Sequence, residues 1–266
     1  MRETNGMISG ERKAKLMEAA NLLLDARRTG QTIADLPVEL QPVDMAEVYF
    51  VQDTMAAAYG PIGGWKIGAA TADSTPMFAP MPKLWIAENG AELANSPGSA
   101  QWRFRGLEAE IAFLMGDDLP PRSTPYAREE VVRAIASCHP AIEVLESGML
   151  DPMVAARMSM LADMQIHGGF VYGPAYAGWE AIDFSKETVM LAVDGTVRVE
   201  RTGSNTSGDL MRLLPYLANE GAGRTGGLKA GDWVTTGSWI GYVPGAAGAT
   251  VDVRFGTAGR VELRFG

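Results

Sequence analysis

The stretch Arg105-Gly106-Leu107-Glu108-Ala109-Glu110-Ile111-Ala112-Phe113-Leu114 constrains this chain more than any other. Strand side chains alternate between faces, so Leu107, Ala109, Ile111 and Phe113 point one way while Glu108 and Glu110 project together from the other. That second face continues through Ala112 and Leu114, turning apolar where a solvated face would stay polar. A third carboxylate, Glu143, stands in the equally apolar Ala141-Ile142-Glu143-Val144-Leu145, short enough for a buried strand. Such carboxylates repel one another, and unless a positive charge lies between them at least one is driven to take up a proton. A divalent cation removes that penalty most directly, and oxygen ligands from adjacent strands suit a hard ion such as Mg2+ or Mn2+. An E-x-E pair is commonly no more than a solvated strand face. The apolar flanks of both segments argue against that here.

Composition narrows the partners. The chain has 266 residues, 47% of them hydrophobic and 21% charged, which is ordinary globular content and enough for a full core. Its 23 basic and 32 acidic residues give a formal charge of -9 without a Lys/Arg cluster, which excludes a nucleic acid partner. No apolar run reaches the roughly 18 residues of a bilayer span, so no membrane partner is expected either. The opening Met1-Arg2-Glu3-Thr4-Asn5-Gly6 has neither region of a secretory leader, and a cytoplasmic protein is expected. Cys138 is the only cysteine, and His139 and His167 are the only histidines. Intrachain disulfides, Cys-rich zinc sites and His-based metal sites are set aside.

Along the chain, one domain is expected over 1–266, with a helical cap segment over 1–60 and a β-rich core over 61–266. Leu16, Ala20, Leu23 and Leu24 recur at helical spacing before Gly30. A second helix starts at a capping box in which Asp44 accepts from the Glu47 amide while Glu47 reaches back; Met45, Val48, Gln52 and Met55 follow on one side until Gly60-Pro61. In Gly64-Trp65-Lys66-Ile67-Gly68-Ala69, a strand puts Lys66 opposite Trp65 and Ile67, bracketed by glycines. Thr71 to Pro82 reads as a loop, and Arg128 to Cys138 as a helix closed by His139-Pro140. Asp194-Gly195 joins two strands as a hairpin. Leu210, Leu213, Leu214 and Leu217 suggest another helix interrupted by Pro215, and strands follow over Asp232–Thr236, Thr250–Phe255 and Arg260–Phe265. Helices in front of strands make an α+β fold.

Six blocks in fixed order carry a family resemblance: Gly64-Trp65-Lys66-Ile67-Gly68, Glu108-x-Glu110, Pro140-Ala141-Ile142-Glu143, Gly168-Gly169-Phe170-Val171-Tyr172-Gly173, Leu217-Ala218-Asn219 and Gly231-Asp232-Trp233-Val234-Thr235-Thr236-Gly237-Ser238. Over roughly residues 45 to 265 the chain resembles the 2-keto-4-pentenoate hydratases and the related 4-oxalocrotonate decarboxylases of the fumarylacetoacetate hydrolase superfamily. The resemblance implies that superfamily's mixed β-roll, with Glu108, Glu110 and Glu143 as metal ligands for Mg2+ or Mn2+. It implies an active-site role for Lys66, and a substrate-lining role for Thr236, Gly237 and Ser238 with Gly169 of the glycine pair. It also implies assembly as homodimers or multiples of dimers, and a place in aromatic compound catabolism. The implied activity is hydration of a 2-hydroxy-2,4-dienoate such as 2-hydroxypenta-2,4-dienoate to a 4-hydroxy-2-oxo acid through a metal-stabilised enolate, a lyase reaction in which Lys66 supplies positive charge.

Two stretches depart from the hydratase pattern. Thr71 to Pro80 is short and hydrophobic and offers no acidic pocket residue, since Asp73 does not fit that role. Ala162-Asp163-Met164-Gln165-Ile166-His167 replaces small hydroxyl residues before Gly168-Gly169, leaving His167 either a catalytic acid or base or a packed residue. Trp65, Met77, Phe78 and Trp85 are either pocket wall or core. Three alternatives stay open: decarboxylation of a 2-oxo dioic acid, for which Arg103 or Arg157 would have to face the pocket; acylpyruvate hydrolysis; and a non-catalytic scaffold subunit.

Overall fold

A computed structural model describes residues 8–95 and 101–266. The opening Met1–Gly6, on which the expectation about a leader rests, lies outside the described residues.

The N-terminal helices form where the spacing places them. Helix α1 (Gly10–Thr29) is capped by the Ser9 side chain, which accepts from the Arg12 amide, and by Gly30 at φ 74°, a left-handed conformation that suits glycine. Helix α2 (Met45–Tyr59) starts on Asp44, which accepts from the Glu47 amide at 2.9 Å. Glu47 reaches one residue further back than a capping box requires, accepting from the Val43 amide and pairing with Arg12 of α1. Leu16, Ala20 and Leu23 meet Val51 and Met55 in a core that also takes in Trp85, Ala162 and Met164.

Strands follow: β1 (Ile62–Gly68), β2 (Met77–Pro82), β3 (Ile86–Glu88), β4 (Ala91–Leu93) and β5 (Gly106–Met115). Helix α3 (Arg128–Arg133) precedes β6 (Ile135–Leu145), and α4 (Arg157–Ala162) precedes β7 (His167–Tyr172). Next come β8 (Thr188–Val193), β9 (Thr196–Thr202), α5 (Leu213–Tyr216), β10 (Trp233–Thr235), β11 (Val243–Pro244), β12 (Thr250–Phe255) and β13 (Gly259–Phe265). Asp194 at φ 50° and Gly195 at φ 74° make the expected hairpin turn. Among the described residues no helix is long and apolar enough to cross a membrane.

Two expectations are corrected. The latter half of the supposed loop, Met77–Pro82, is a strand paired antiparallel to β1, so the irregular segment is shorter than expected. The helix at Arg128 ends after six residues, because Ile135 to Leu145 is drawn into pairing along the whole of β5. Pro140 fits inside that strand because its missing N–H faces the side where β7 ends. There the Pro140 carbonyl accepts from Gly173 instead of a strand residue.

One sheet runs β2-β1-β10-β5-β6-β7-β3, with β11 on β5; the other runs β4-β13-β12-β8-β9. The end strands β2 and β3 of the first sheet are joined by three residues only, Lys83–Trp85, so that sheet must curl until its edges approach each other. The Lys83 amide bonds to the Pro61 carbonyl at 2.8 Å, and a Cβ on Gly63 would lie 2.8 Å from the Lys83 Cα. The outer face of this roll, with Leu107, Ile111, Phe113, Ile142, Val144 and Val171, packs under the second sheet. The inner face is closed by Met81, Ala112, Ala141, Phe170 and Trp233. The expected α+β mixed β-roll fronted by helices is the observed architecture.

Candidate metal centre

Glu108 and Glu110 project from β5 into the roll while Leu107, Ala109 and Ile111 pack outside. The β5–β6 register sets Glu143 directly across from Glu108, a like-charge pairing that strands normally avoid. Carboxylate oxygens of Glu108, Glu110 and Glu143 all lie within 4.8 Å of one another. From β1, Lys66 Nζ approaches Glu143 Oε1 to 2.5 Å and the Gln165 carbonyl to 3.2 Å. His167 Nδ1 lies 2.8 Å from the same Glu143 Oε1. Glu110 Oε2 accepts from the Thr235 hydroxyl and, at 2.9 Å, from the Gly237 amide. Among the described residues the buried Glu143 Oε2 and His167 Nε2 have no hydrogen-bond partner.

The charges follow from those contacts. Burial, then the Glu143 charge, raises Glu108 to about 8 against the opposing pull of Lys66. Burial and the two neighbouring carboxylates push Glu110 well above the ordinary range. For Glu143 burial acts upward, but Lys66 and His167 outweigh it and hold the carboxyl down at about 2. Burial alone would lower Lys66; Glu143, Glu108 and Glu110 together raise it, so the ammonium stays charged. Burial lowers His167 despite its bond to Glu143, which leaves a neutral imidazole. Near neutral pH the site therefore stores protons on Glu108 and Glu110, as two unscreened carboxylates must. An all-oxygen donor set with one orphaned buried oxygen and two carboxylates forced to hold protons fits a hard dication.

Unusual backbone brings His167 inside. Met164, Gln165 and Ile166 have φ of 56°, 50° and 55°, a left-handed turn costing about 1–2 kcal/mol per residue. This turn presents the Gln165 carbonyl to Lys66. A bulge follows: Val144 pairs with Gly169 but Leu145 pairs with His167, so Gly168 is the extra residue and His167 is switched to the inner face. A Cβ on Gly168 would lie 2.4 Å from the Glu146 Cβ, so only glycine fits. The turn is held from α1. Arg27, 2% exposed, pairs with Asp163 at 2.6 Å and donates to the carbonyls of Glu146, Asp163 and His167. Asp163 Oδ2 accepts from the Ser147 hydroxyl and the Gly148 amide.

The remaining candidates divide. Gly237 contributes its amide to Glu110, but the Thr236 hydroxyl bonds to the Ile111 carbonyl and the Ser238 hydroxyl to that of Gly241. Neither hydroxyl bonds to the carboxylates; Thr235, one residue earlier, does so. Alternation along Trp233-Val234-Thr235 would have identified Thr235 once Val234 was placed in the outer core. Gly169 backs onto Trp102 on the outer face, where a Cβ would meet the indole at 3.0 Å. Trp65 and Phe78 are outer core, Trp85 sits with its ring 5.4 Å from that of His167, and Met77 lies on the inner face. Arg27 and Asp163 carried no local signal, being 136 residues apart.

No family model matches the chain. It is 25% identical over 255 residues to a 2-hydroxyhexa-2,4-dienoate hydratase of Comamonas testosteroni, covering 91% of this chain and 94% of that one. It is also 25% identical over 269 residues to the TodF product hydratase of a Pseudomonas putida strain, covering 96% of each. Among solved structures, 4-oxalocrotonate decarboxylase from Pseudomonas putida G7, complexed with magnesium and adipate, superposes with a TM-score of 0.78 at 22% identity, over 98% of this chain and 100% of that one. The fold is shared with this decarboxylase and, at a TM-score of 0.53 and 18% identity over 77% of this chain, with a fumarylacetoacetate hydrolase family protein from Yersinia pestis CO92. The similarities fall on the 2-keto-4-pentenoate hydratase and 4-oxalocrotonate decarboxylase group that the sequence resembles.

Proposed function

We propose that this chain is a divalent-metal-dependent lyase that hydrates a 2-hydroxy-2,4-dienoate to a 4-hydroxy-2-oxo acid. The observation that carries this reading is the convergence of Glu108, Glu110 and Glu143 within 4.8 Å beside the charged Lys66. The similarity to two dienoate hydratases over nearly the whole chain supports it. When bound, Mg2+ or Mn2+ would supply Lewis acidity to the carboxylate and C2 oxygen of a 2-oxo acid.

The chain's own residues do the rest. Lys66, 14% exposed on its side chain, keeps an ammonium beside the carboxylates and faces negative charge as it develops at C2. Glu143 is oriented by Lys66 and His167 through Oε1, leaving Oε2 for the ion. Glu110 is fixed by Thr235 and Gly237. His167 is wholly buried, so its role is to position Glu143, not to act on substrate. Phe170, Met81 and Trp233 close the inner end of the roll against water. Assembly from dimers and a cytoplasmic location belong to the same reading.

A second reading, loss of CO2 from a 2-oxo dioic acid, draws on the fold shared with 4-oxalocrotonate decarboxylase. Turnover separates the two. We expect the Mg2+-loaded protein to consume 2-hydroxypenta-2,4-dienoate, seen as falling ultraviolet absorbance, without releasing CO2. CO2 release from 4-oxalocrotonate without hydration would favour the second reading, and no turnover of either acid would reject both.

A further inference from the structure

The parallel pairing of β1 with β10 goes no further than Lys66 and Thr235. Past that point the chain runs on to Ala69 on one side and to Thr236-Gly237 on the other, and a distant segment, Ser204-Asn205-Thr206-Ser207, takes over their backbone groups. On the β1 side, the Thr206 hydroxyl donates to the Ala69 carbonyl at 2.7 Å and the Ser207 hydroxyl accepts from the Ala69 amide at 3.1 Å. On the β10 side, Asn205 Nδ2 donates to the carbonyls of Thr236 at 3.2 Å and Gly237 at 2.9 Å. The other end of the same carboxamide is also used, Oδ1 accepting from the Ser207 amide at 2.9 Å. With its nitrogen on two carbonyls and its oxygen on an N–H, this side chain has one satisfied orientation.

The bond to Thr236 bears directly on the carboxylates. The Thr236 carbonyl and the Gly237 N–H are the two ends of one planar peptide unit. Its N–H donates to Glu110 Oε2 at 2.9 Å while its oxygen is held by Asn205. Thr236 is anchored from its own side, its amide and hydroxyl both donating to the Ile111 carbonyl. Gly237 offers no such hold. It has φ 86°, and glycine takes positive and negative φ about equally readily, so its own backbone does not keep the unit from turning over. Turned over, the unit would set a carbonyl oxygen against the Glu110 carboxylate in place of a donor. A larger residue at 237 would be strained at this φ, with a Cβ 3.4 Å from the Gly68 Cα.

We propose that Asn205 is a positioning residue of the metal centre, which locks the Thr236-Gly237 peptide with its N–H toward Glu110 and so fixes the orientation of that ligand. This rests on the metal-dependent function proposed above and adds to it a residue that touches neither the carboxylates nor the ion. Asn205 acts through a single peptide unit, and its bond to the carbonyl end also polarises the N–H that Glu110 receives.

The test compares wild type with Asn205→Asp, Asn205→Ala and Ser204→Ala, by calorimetric titration with Mg2+ and by hydrogen exchange of the Gly237 amide in the metal-free protein. Asn205→Asp keeps the shape of the side chain but turns an oxygen onto the two carbonyls. Ser204→Ala removes a different bond of the same segment, to the Trp239 carbonyl, and spares the peptide lock. Both Asn205 variants are expected to bind Mg2+ about 10–100-fold more weakly, as loss of an outer partner of a metal ligand does, and to exchange the Gly237 amide at least about tenfold faster. Ser204→Ala should match wild type in both measurements. Unchanged Mg2+ affinity in Asn205→Asp, equal weakening in Ser204→Ala, or a Gly237 amide already unprotected in wild type overturns the proposal and leaves the proposed function standing. Wild type that takes up no Mg2+ overturns both.

Discussion

Arg27 donates to the backbone carbonyl of His167 at 2.9 Å, across 140 residues of sequence. Through that bond the first helix grips the segment that delivers His167 to Glu143, and the helical cap becomes part of the site's support. Removing one member of a buried ion pair costs about 3–5 kcal/mol. Arg27→Ala should lower unfolding stability by about that amount, measured by denaturant titration, and should weaken metal binding as well. A variant of unchanged stability would contradict the anchoring role.

His167 holds a carboxylate that holds the ion, so its removal should act on affinity before chemistry. His167→Ala is expected to weaken Mg2+ binding by about 10–100-fold, as the loss of outer partners of metal ligands generally does. Saturating Mg2+ should recover most of the turnover. Turnover that stays abolished at saturating metal would mean that His167 handles a proton of the substrate.

Lys66 is predicted to separate from it. Lys66→Met should retain bound metal yet lose about 100–1,000-fold in kcat, the range for deleting one stabiliser of developing charge. Metal content by plasma mass spectrometry alongside kcat distinguishes this from simple collapse of the site.

Protons and metal compete for the same oxygens. In the metal-free protein Glu108 is raised to about 8 and Glu110 is raised in the same direction, so the folded state holds protons that the unfolded chain has already released above about 4.5. Below the ordinary histidine value of 6.5 the lowered His167 and His139 oppose this, being protonated more readily in the unfolded chain; above it the folded state binds more protons, so stability falls as pH rises until Glu108 ionises at about 8. Mg2+ should bind more tightly as pH rises, releasing protons and cancelling the stability loss. Calorimetry in buffers of different ionisation enthalpy would count them, and uptake without proton release would contradict the assigned charges.

The bulge gives a steric test. Gly168→Ala places a methyl 2.4 Å from the Glu146 Cβ. Overpacking of this kind costs about 1–3 kcal/mol. Because the strain falls on the residue that switches His167 inward, metal affinity should drop with stability; Mg2+ titration and thermal melting of the same preparation would show whether the two losses coincide.

Much of this was legible in the chain because it depends on local alternation. Period-two patterning put Glu108 and Glu110 on one face and Lys66 opposite Trp65 and Ile67, and the stop of α1 at Gly30 and the start of α2 at Asp44 were visible, whereas the Ser9 cap of α1 was not read. What stayed hidden depends on distant chain. Ile135 to Cys138 has helical spacing, yet pairing with β5 draws it into a strand. Met164 to Ile166 have no preference for a left-handed turn, and distant groups hold them there: Arg27 with Asp163, Lys66 on the Gln165 carbonyl and the Glu146 amide on the Ile166 carbonyl. Thr235 rather than Thr236 meets Glu110 because strand register, which no short motif states, decides the face.

The most direct measurement is anomalous diffraction from crystals soaked in Mn2+. A single strong peak bridging one oxygen each of Glu108, Glu110 and Glu143, and lost in Glu143→Gln, is the predicted result. A peak elsewhere, or none at full Mn2+ occupancy of the solvent, would contradict the account.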